Sequence, residues 1–165
     1  MTKETYIKMT DGFRGNQKRR KAIIAADSIL TKIAYFAYPI LLAVLYLEKE
    51  PQLLRTVLVP GVSFAAVSVF RYLYCAPRPY EVFDVPPVIP KDTKGKSFPS
   101  RHVFSIFIIA MTFLWHVPWI GALIGAAGIF MAVVRVLGGV HFPKDVIAGA
   151  VLGVLSGLIG FYWIP

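Results

Sequence analysis

Two histidines, four arginines, a serine and an aspartate crowd into three short stretches of an otherwise apolar chain. The stretches are RYLYCAPRP (71–79), PSRH (99–102) and RVLGGVHFPKD (135–145). Guanidinium forks match the oxygens of a multiply charged oxyanion in a bidentate way. Two histidines can supply a nucleophile and a proton donor near neutral pH. Ionisable groups at the ends of membrane helices are costly and default to a functional-site reading. The chemistry this set predicts is phosphate-ester hydrolysis in a membrane.

Singly, each piece has a plainer reading. Arg71 and Arg78 read as interfacial anchors at a helix end. Ser100, after a proline and before an apolar run, reads as a helix N-cap. That same helix start offers free N–H groups and a positive dipole end to an anion, with His102 in its first turn. His141 and Asp145 are one helical turn apart if a helix starts near Pro143, so a carboxylate could fix the imidazole tautomer. Gly138 and Gly139 would let the backbone turn and bring Arg135 and His141 to one pocket. His116, beside Trp119, reads as an interfacial residue away from the site.

The elements that must position these residues are apolar helices. Hydrophobic residues make up 56% of the 165 and charged residues 16%, with mean hydropathy +0.62. A soluble domain carries about 25% charged residues. Uncharged runs cover 33–47, 56–70, 103–134 and 146–165. The third divides at His116-Val117-Pro118-Trp119, a turn suited to a membrane interface. An all-α, multi-pass transmembrane bundle of about five spans is expected, near 28–48, 53–74, 100–116, 119–138 and 145–164. It forms one domain over 27–165. Residues 1–26 form a basic interfacial or flexible segment with no removable signal peptide. Segment 75–99 holds Pro77, Pro79, Pro86, Pro87, Pro90 and Pro99. It reads as a non-helical cap or lid. With five spans, the N-terminus, this lid and the turn at 140–144 fall on one face, so the three polar stretches converge.

The formal net charge is +9. The basic arm before the first span fits attraction to anionic lipid better than nucleic-acid binding. Cys75 is the sole cysteine, which excludes an internal disulfide and a thiolate metal cluster. No motif carries the carboxylates of a hard-cation site, so no metal or cofactor is expected.

In this order, the three stretches resemble the signature of the type 2 phosphatidic acid phosphatase (PAP2) superfamily: Lys-x6-Arg-Pro, Pro-Ser-Gly-His and Ser-Arg-x5-His-x3-Asp. The matching residues are Arg71 with Arg78-Pro79, then Pro99-Ser100-Arg101-His102, then Val134-Arg135, His141 and Asp145. The resemblance implies a metal-independent phosphatase with a helical-bundle core. His141 would attack phosphorus with Asp145 orienting it, and His102 would protonate the leaving oxygen and later activate water. Arg71, Arg78, Ser100 and Arg135, with the N–H of Arg101, would hold phosphate oxygens. Three positions depart from the pattern. Arg71 replaces a lysine, Val134 a serine, and Arg101 a glycine. The Arg101 side chain either obstructs the site or adds a cation for a second phosphate.

The substrate implied is a lipid phosphate or diphosphate: a prenyl diphosphate such as undecaprenyl diphosphate, phosphatidylglycerol phosphate, or phosphatidate. A lipid phosphotransferase and a non-catalytic lipid-binding or transport protein on a degenerate scaffold are the alternatives. Partners are therefore the substrate and membrane lipids, with oligomeric state left open. All but three of the 18 Lys and Arg residues lie on the site face. The positive-inside rule puts that face in the cytoplasm. The resemblance implies an extracytoplasmic site in the cell membrane, the reading adopted here.

Overall fold

The computed structural model describes residues 1–164, and the described residues contain helices and no strand. The helices are α1 (Lys3–Arg14), α2 (Gln17–Leu47), α3 (Leu53–Tyr74), α4 (Pro79–Phe83), α5 (Arg101–His116), α6 (Pro118–Leu137) and α7 (Pro143–Gly157), continued by a π-helical turn, Leu158–Trp163. Four helical stretches are long and apolar enough to cross a membrane: Gln17–Leu47, Leu53–Phe83, Pro118–Leu137 and Pro143–Trp163. The third of the five expected spans, α5, has 16 residues. At 1.5 Å per residue it is about 24 Å long, short of the ~30 Å hydrocarbon core.

That shortness is tolerable because α5 is the centre of the bundle. Val103, Phe104, Ile106, Ile108 and Phe113 are all buried along it. Close packing on α7 comes from Gly149, Gly153 and Gly157, spaced by four on one face. A Cβ on Gly149 would lie 2.6 Å from the Ser100 carbonyl oxygen, and one on Gly157 would lie 2.3 Å from Met111 Cβ. Small residues at that spacing let helix backbones meet in a membrane. The large apolar side chains that remain exposed include Phe36, Leu47, Leu73 and Trp163. Such a surface suits lipid, where every backbone polar group must be satisfied inside the helix.

Most of the first 26 residues are helical, in α1 and the start of α2. Thr2 caps α1, accepting the Thr5 N–H at 3.3 Å, and Asn16 caps α2, accepting the Arg19 N–H at 3.1 Å. Because Asn16 can cap, α2 starts at Gln17, upstream of the boundary placed at residue 27. Its 31 residues span about 46 Å, so Lys18–Lys21 ride on helical turns beyond the hydrocarbon. Helix α1 buries Tyr6 and Thr10 against the site end. The Tyr6 hydroxyl donates to the Gly139 carbonyl at 3.1 Å, and Arg14 Nη2 donates to the Pro86 carbonyl at 2.8 Å. Burial pushes the Tyr6 phenol up to about 12, keeping it a neutral donor.

The proline-rich segment does hold one helix, α4, contrary to the reading that it holds none. Pro79 is its first residue, where a missing N–H costs nothing. The Glu81 carboxylate accepts the Arg78 N–H at 2.7 Å and the Gly95 N–H at 2.9 Å, closing the lid on itself. The N–H groups of Val88 and Ile89 both donate to the Gly138 carbonyl, at 3.0 and 3.2 Å. Gly139 follows with φ +73°, a conformation side chains disfavour. The lid, the N-terminal helix and the α6–α7 turn thus form one end of the molecule.

Candidate active site

At that end lies a polar cavity of about 390 Å³ lined by Arg71, Arg78, Arg101, His102, Arg135 and His141, with Lys91, Lys96 and Thr93 from the lid. Each motif residue arrives at a helix end. Arg71 closes α3, Arg101 and His102 open α5, Arg135 closes α6, and His141 sits in the turn before α7. Ser100 and Asp145 lie just behind the lining, fully buried. They are joined through the backbone, the Ser100 N–H donating to the Asp145 carbonyl at 2.8 Å.

Asp145 is held by more than the histidine. Its Oδ2 accepts the Ser97 hydroxyl at 2.5 Å and the Phe142 N–H at 3.0 Å. His141 Nδ1 lies 3.5 Å from the same oxygen and 3.4 Å from Ser97 Oγ. With Nδ1 turned to this pair, Nε2 is the nitrogen left for the cavity. Burial pushes the His141 imidazole down to about 4, against the opposing pull of Asp145 and with the help of Arg78. At neutral pH the ring is uncharged and keeps the lone pair a nucleophile needs.

The arginines divide by what occupies their donors. Arg71 reaches the carbonyls of Lys96, Ser97 and Pro99. Arg78 reaches those of Gly95 at 3.0 Å and Val140 at 3.1 Å. Both therefore fasten the lid while facing the cavity. Arg135 pairs through Nε with Asp27 of α2 at 2.9 Å. Arg101 is exposed at the mouth, its guanidinium 5.5 Å from the centre of the Phe64 ring. Its φ is not positive, so the backbone takes an arginine without strain. Ser100 is the residue before α5, but its hydroxyl makes no capping bond and has no hydrogen-bond partner among the described residues. The cap read from sequence is positional only. Val134 is buried core on α6.

Ser97, Asp27, Lys91 and Lys96 belong to this site and escaped the sequence reading. Asp27 was discoverable, being the sole acidic residue in the 31 of α2, and an intramembrane carboxylate is a functional candidate by default. Burial, with Arg78 and Arg135 nearby, lowers the Lys91 ammonium below its ordinary range. Among the described residues no group of three His, Cys, Asp or Glu side chains is placed to hold a metal ion.

A membrane helical bundle with an arginine-lined, histidine-bearing pocket at one end defines a class. The PAP2 superfamily model matches residues 52–165, and the chain belongs to that superfamily. It is 30% identical to undecaprenyl-diphosphatase BcrC of Bacillus subtilis (82% of this chain, 73% of that protein). It is also 30% identical to a putative undecaprenyl-diphosphatase of Escherichia coli (84% and 68%). In fold it is similar to the crystal structure of Aquifex aeolicus LpxE, with TM-score 0.72 at 23% identity over 95% of this chain and 92% of that one. It is likewise similar to a PAP2-type phosphatidylglycerolphosphate phosphatase of Bacillus subtilis, with TM-score 0.60 at 22% identity over 94% and 90%. It is a multi-pass membrane protein.

Proposed function

We propose that this protein hydrolyses a lipid phosphate, with a prenyl diphosphate of the undecaprenyl class as the leading substrate, through a phosphohistidine on His141. The observation that carries this reading is a pair of adjoining cavities. The polar one shares Arg101 and His102 with an apolar one of about 530 Å³ between α2, α3 and α5, lined by Ala34, Leu42, Val57, Phe64 and Ile108 among others. A charged head and a long apolar tail would occupy the two, with His102 at the junction. The apolar volume is that of a small-molecule pocket, roughly 300–1,000 Å³. It takes the first part of a long chain and leaves the rest in the bilayer.

In the first step His141 Nε2 forms a bond to phosphorus and the bond to the leaving oxygen breaks, His102 giving that oxygen a proton. In the second, His102 takes a proton from water, the resulting hydroxide bonds to phosphorus, and the P–N bond breaks. Arg71, Arg78 and Arg135 stabilise charge on the phosphoryl oxygens throughout, with the unpartnered Ser100 hydroxyl behind them. Lys91, Lys96 and Arg101 provide cations beyond those one phosphate uses, which supports a diphosphate. The two relatives named as undecaprenyl-diphosphatases support the same substrate class.

The test is phosphate release by the purified protein, in EDTA, from undecaprenyl diphosphate and from phosphatidylglycerol phosphate. The reading expects turnover of both and preference for the first, reduced by Arg101→Gly. Release only in the presence of an acceptor lipid would make it a phosphotransferase, and no turnover would make it a binding protein. The site is proposed to face outward from the cell membrane. Exposed Cys75, at the C-terminus of α3 on the site face, reports this directly. A membrane-impermeant maleimide should label it in intact cells, whereas labelling only after lysis would place the site inside.

A further inference from the structure

Among the described residues, Arg135 is the one Lys or Arg around the polar cavity whose side chain is paired with a carboxylate. Asp27 Oδ1 lies 2.9 Å from Arg135 Nε, with the two side chains 15% and 4% exposed. The contact is an ion pair and not an aligned hydrogen bond, and neither atom has a hydrogen-bond partner among the described residues. Asp27 does not line the cavity, while Arg135 does. With the Asp27 carboxylate against its Nε side, the guanidinium has its two terminal nitrogens on the opposite edge, the edge that forms bidentate bonds to phosphate. Asp27 stands on α2, ahead of the residues that the superfamily model matches.

A buried carboxylate behind a phosphate site needs a reason. By charge alone it repels the ligand, and burying it is costly unless it is paired. Arg71, Arg78, Lys91 and Lys96 crowd the same cavity and repel the Arg135 guanidinium, which ends α6 on a flexible stem. Without a fixed anion behind it, that side chain would be driven outward. We propose that Asp27 is a positioning residue that holds Arg135 with its paired donors aimed at the phosphoryl group. The proposal rests on the phosphate-site reading above.

Charge and position make opposite predictions, which gives the test its power. Removing a carboxylate strengthens anion binding if only charge matters, and weakens it if the carboxylate aims the arginine. The full-length protein in detergent would be titrated with orthovanadate, and its dissociation constant read from the thermal shift, which needs no turnover. Asp27→Ala is expected to weaken binding about tenfold, the scale of a coupled buried pair. Asp27→Glu is expected to recover most of that. In an Arg135→Ala background, Asp27→Ala should change the constant by less than about twofold. Unchanged or tighter binding by Asp27→Ala, or an equal loss without Arg135, would overturn the proposal. Should Asp27→Ala not fold, Asp27→Asn removes the charge at constant size and faces the same criteria. Wild-type protein that binds no vanadate would overturn the phosphate-site reading and this proposal with it. Wild-type binding that Asp27→Ala leaves intact would overturn the proposal alone.

Discussion

Replacing Ser97 by alanine isolates the support beneath the proposed nucleophile. The Ser97 hydroxyl donates to Asp145 Oδ2 at 2.5 Å, and Asp145 is 1% exposed. His141 Nδ1 stands 3.5 Å from that same Oδ2, and the other oxygen, Oδ1, has no hydrogen-bond partner among the described residues. Without the hydroxyl, the carboxylate keeps one firm donor, the Phe142 N–H. A hydrogen bond to a charged group contributes about 1.5–3 kcal/mol. If Asp145 orients His141 in the transition state, the same energy appears in the barrier, a fall in kcat of about ten- to a hundredfold. KM should hold nearly constant, because Ser97 does not line the cavity. The assay is steady-state phosphate release beside a thermal melt of each variant. A kcat within twofold of wild type, with stability lowered, would confine Ser97 to a structural role. A raised KM with kcat intact would place the hydroxyl on the substrate.

Two further outcomes follow from packing and burial. Gly153→Ala puts a Cβ 2.8 Å from the Phe104 carbonyl oxygen and from Phe107 Cβ, so α5 must shift. A loss of about 1–3 kcal/mol is expected from such overpacking, and chemical denaturation in detergent would measure it. The His141 imidazole, pushed down from 6.5 to about 4 in the fold, binds fewer protons than in the unfolded chain between those values. Stability from this group is therefore complete above about pH 6.5 and is lost as pH falls toward 4. Melting temperature should drop across that window, and His141→Gln should flatten the drop.

What could be read from the sequence was whatever depends on helix count and helix ends. Two spans before the segment that joins 71–79 to 99–102, and four before the turn at 135–145, carry all three stretches to one face, and in the structure they meet around one cavity. Less legible were contacts set by tertiary closure. Ser97 looks like any loop serine until the lid folds back and delivers it to Asp145. Nothing local in the sequence shows that Arg71, besides lining the cavity, fastens the lid through the carbonyls of Lys96, Ser97 and Pro99. Helix α4 hides in a proline-rich segment because Pro79 stands where a proline begins a helix instead of ending one. The pairing of α5 with α7 rests on close approach at three glycines, which hydropathy alone does not register.

The stereochemical course at phosphorus tests the central claim most directly. A substrate bearing a chiral thiophosphoryl group would be hydrolysed in isotopically labelled water, and the configuration of the released thiophosphate determined. Attack by His141 followed by attack of water makes two in-line displacements, so the account predicts net retention, together with loss of turnover in His141→Ala. Net inversion would mean that water attacks the substrate directly and that His141 forms no bond to phosphorus.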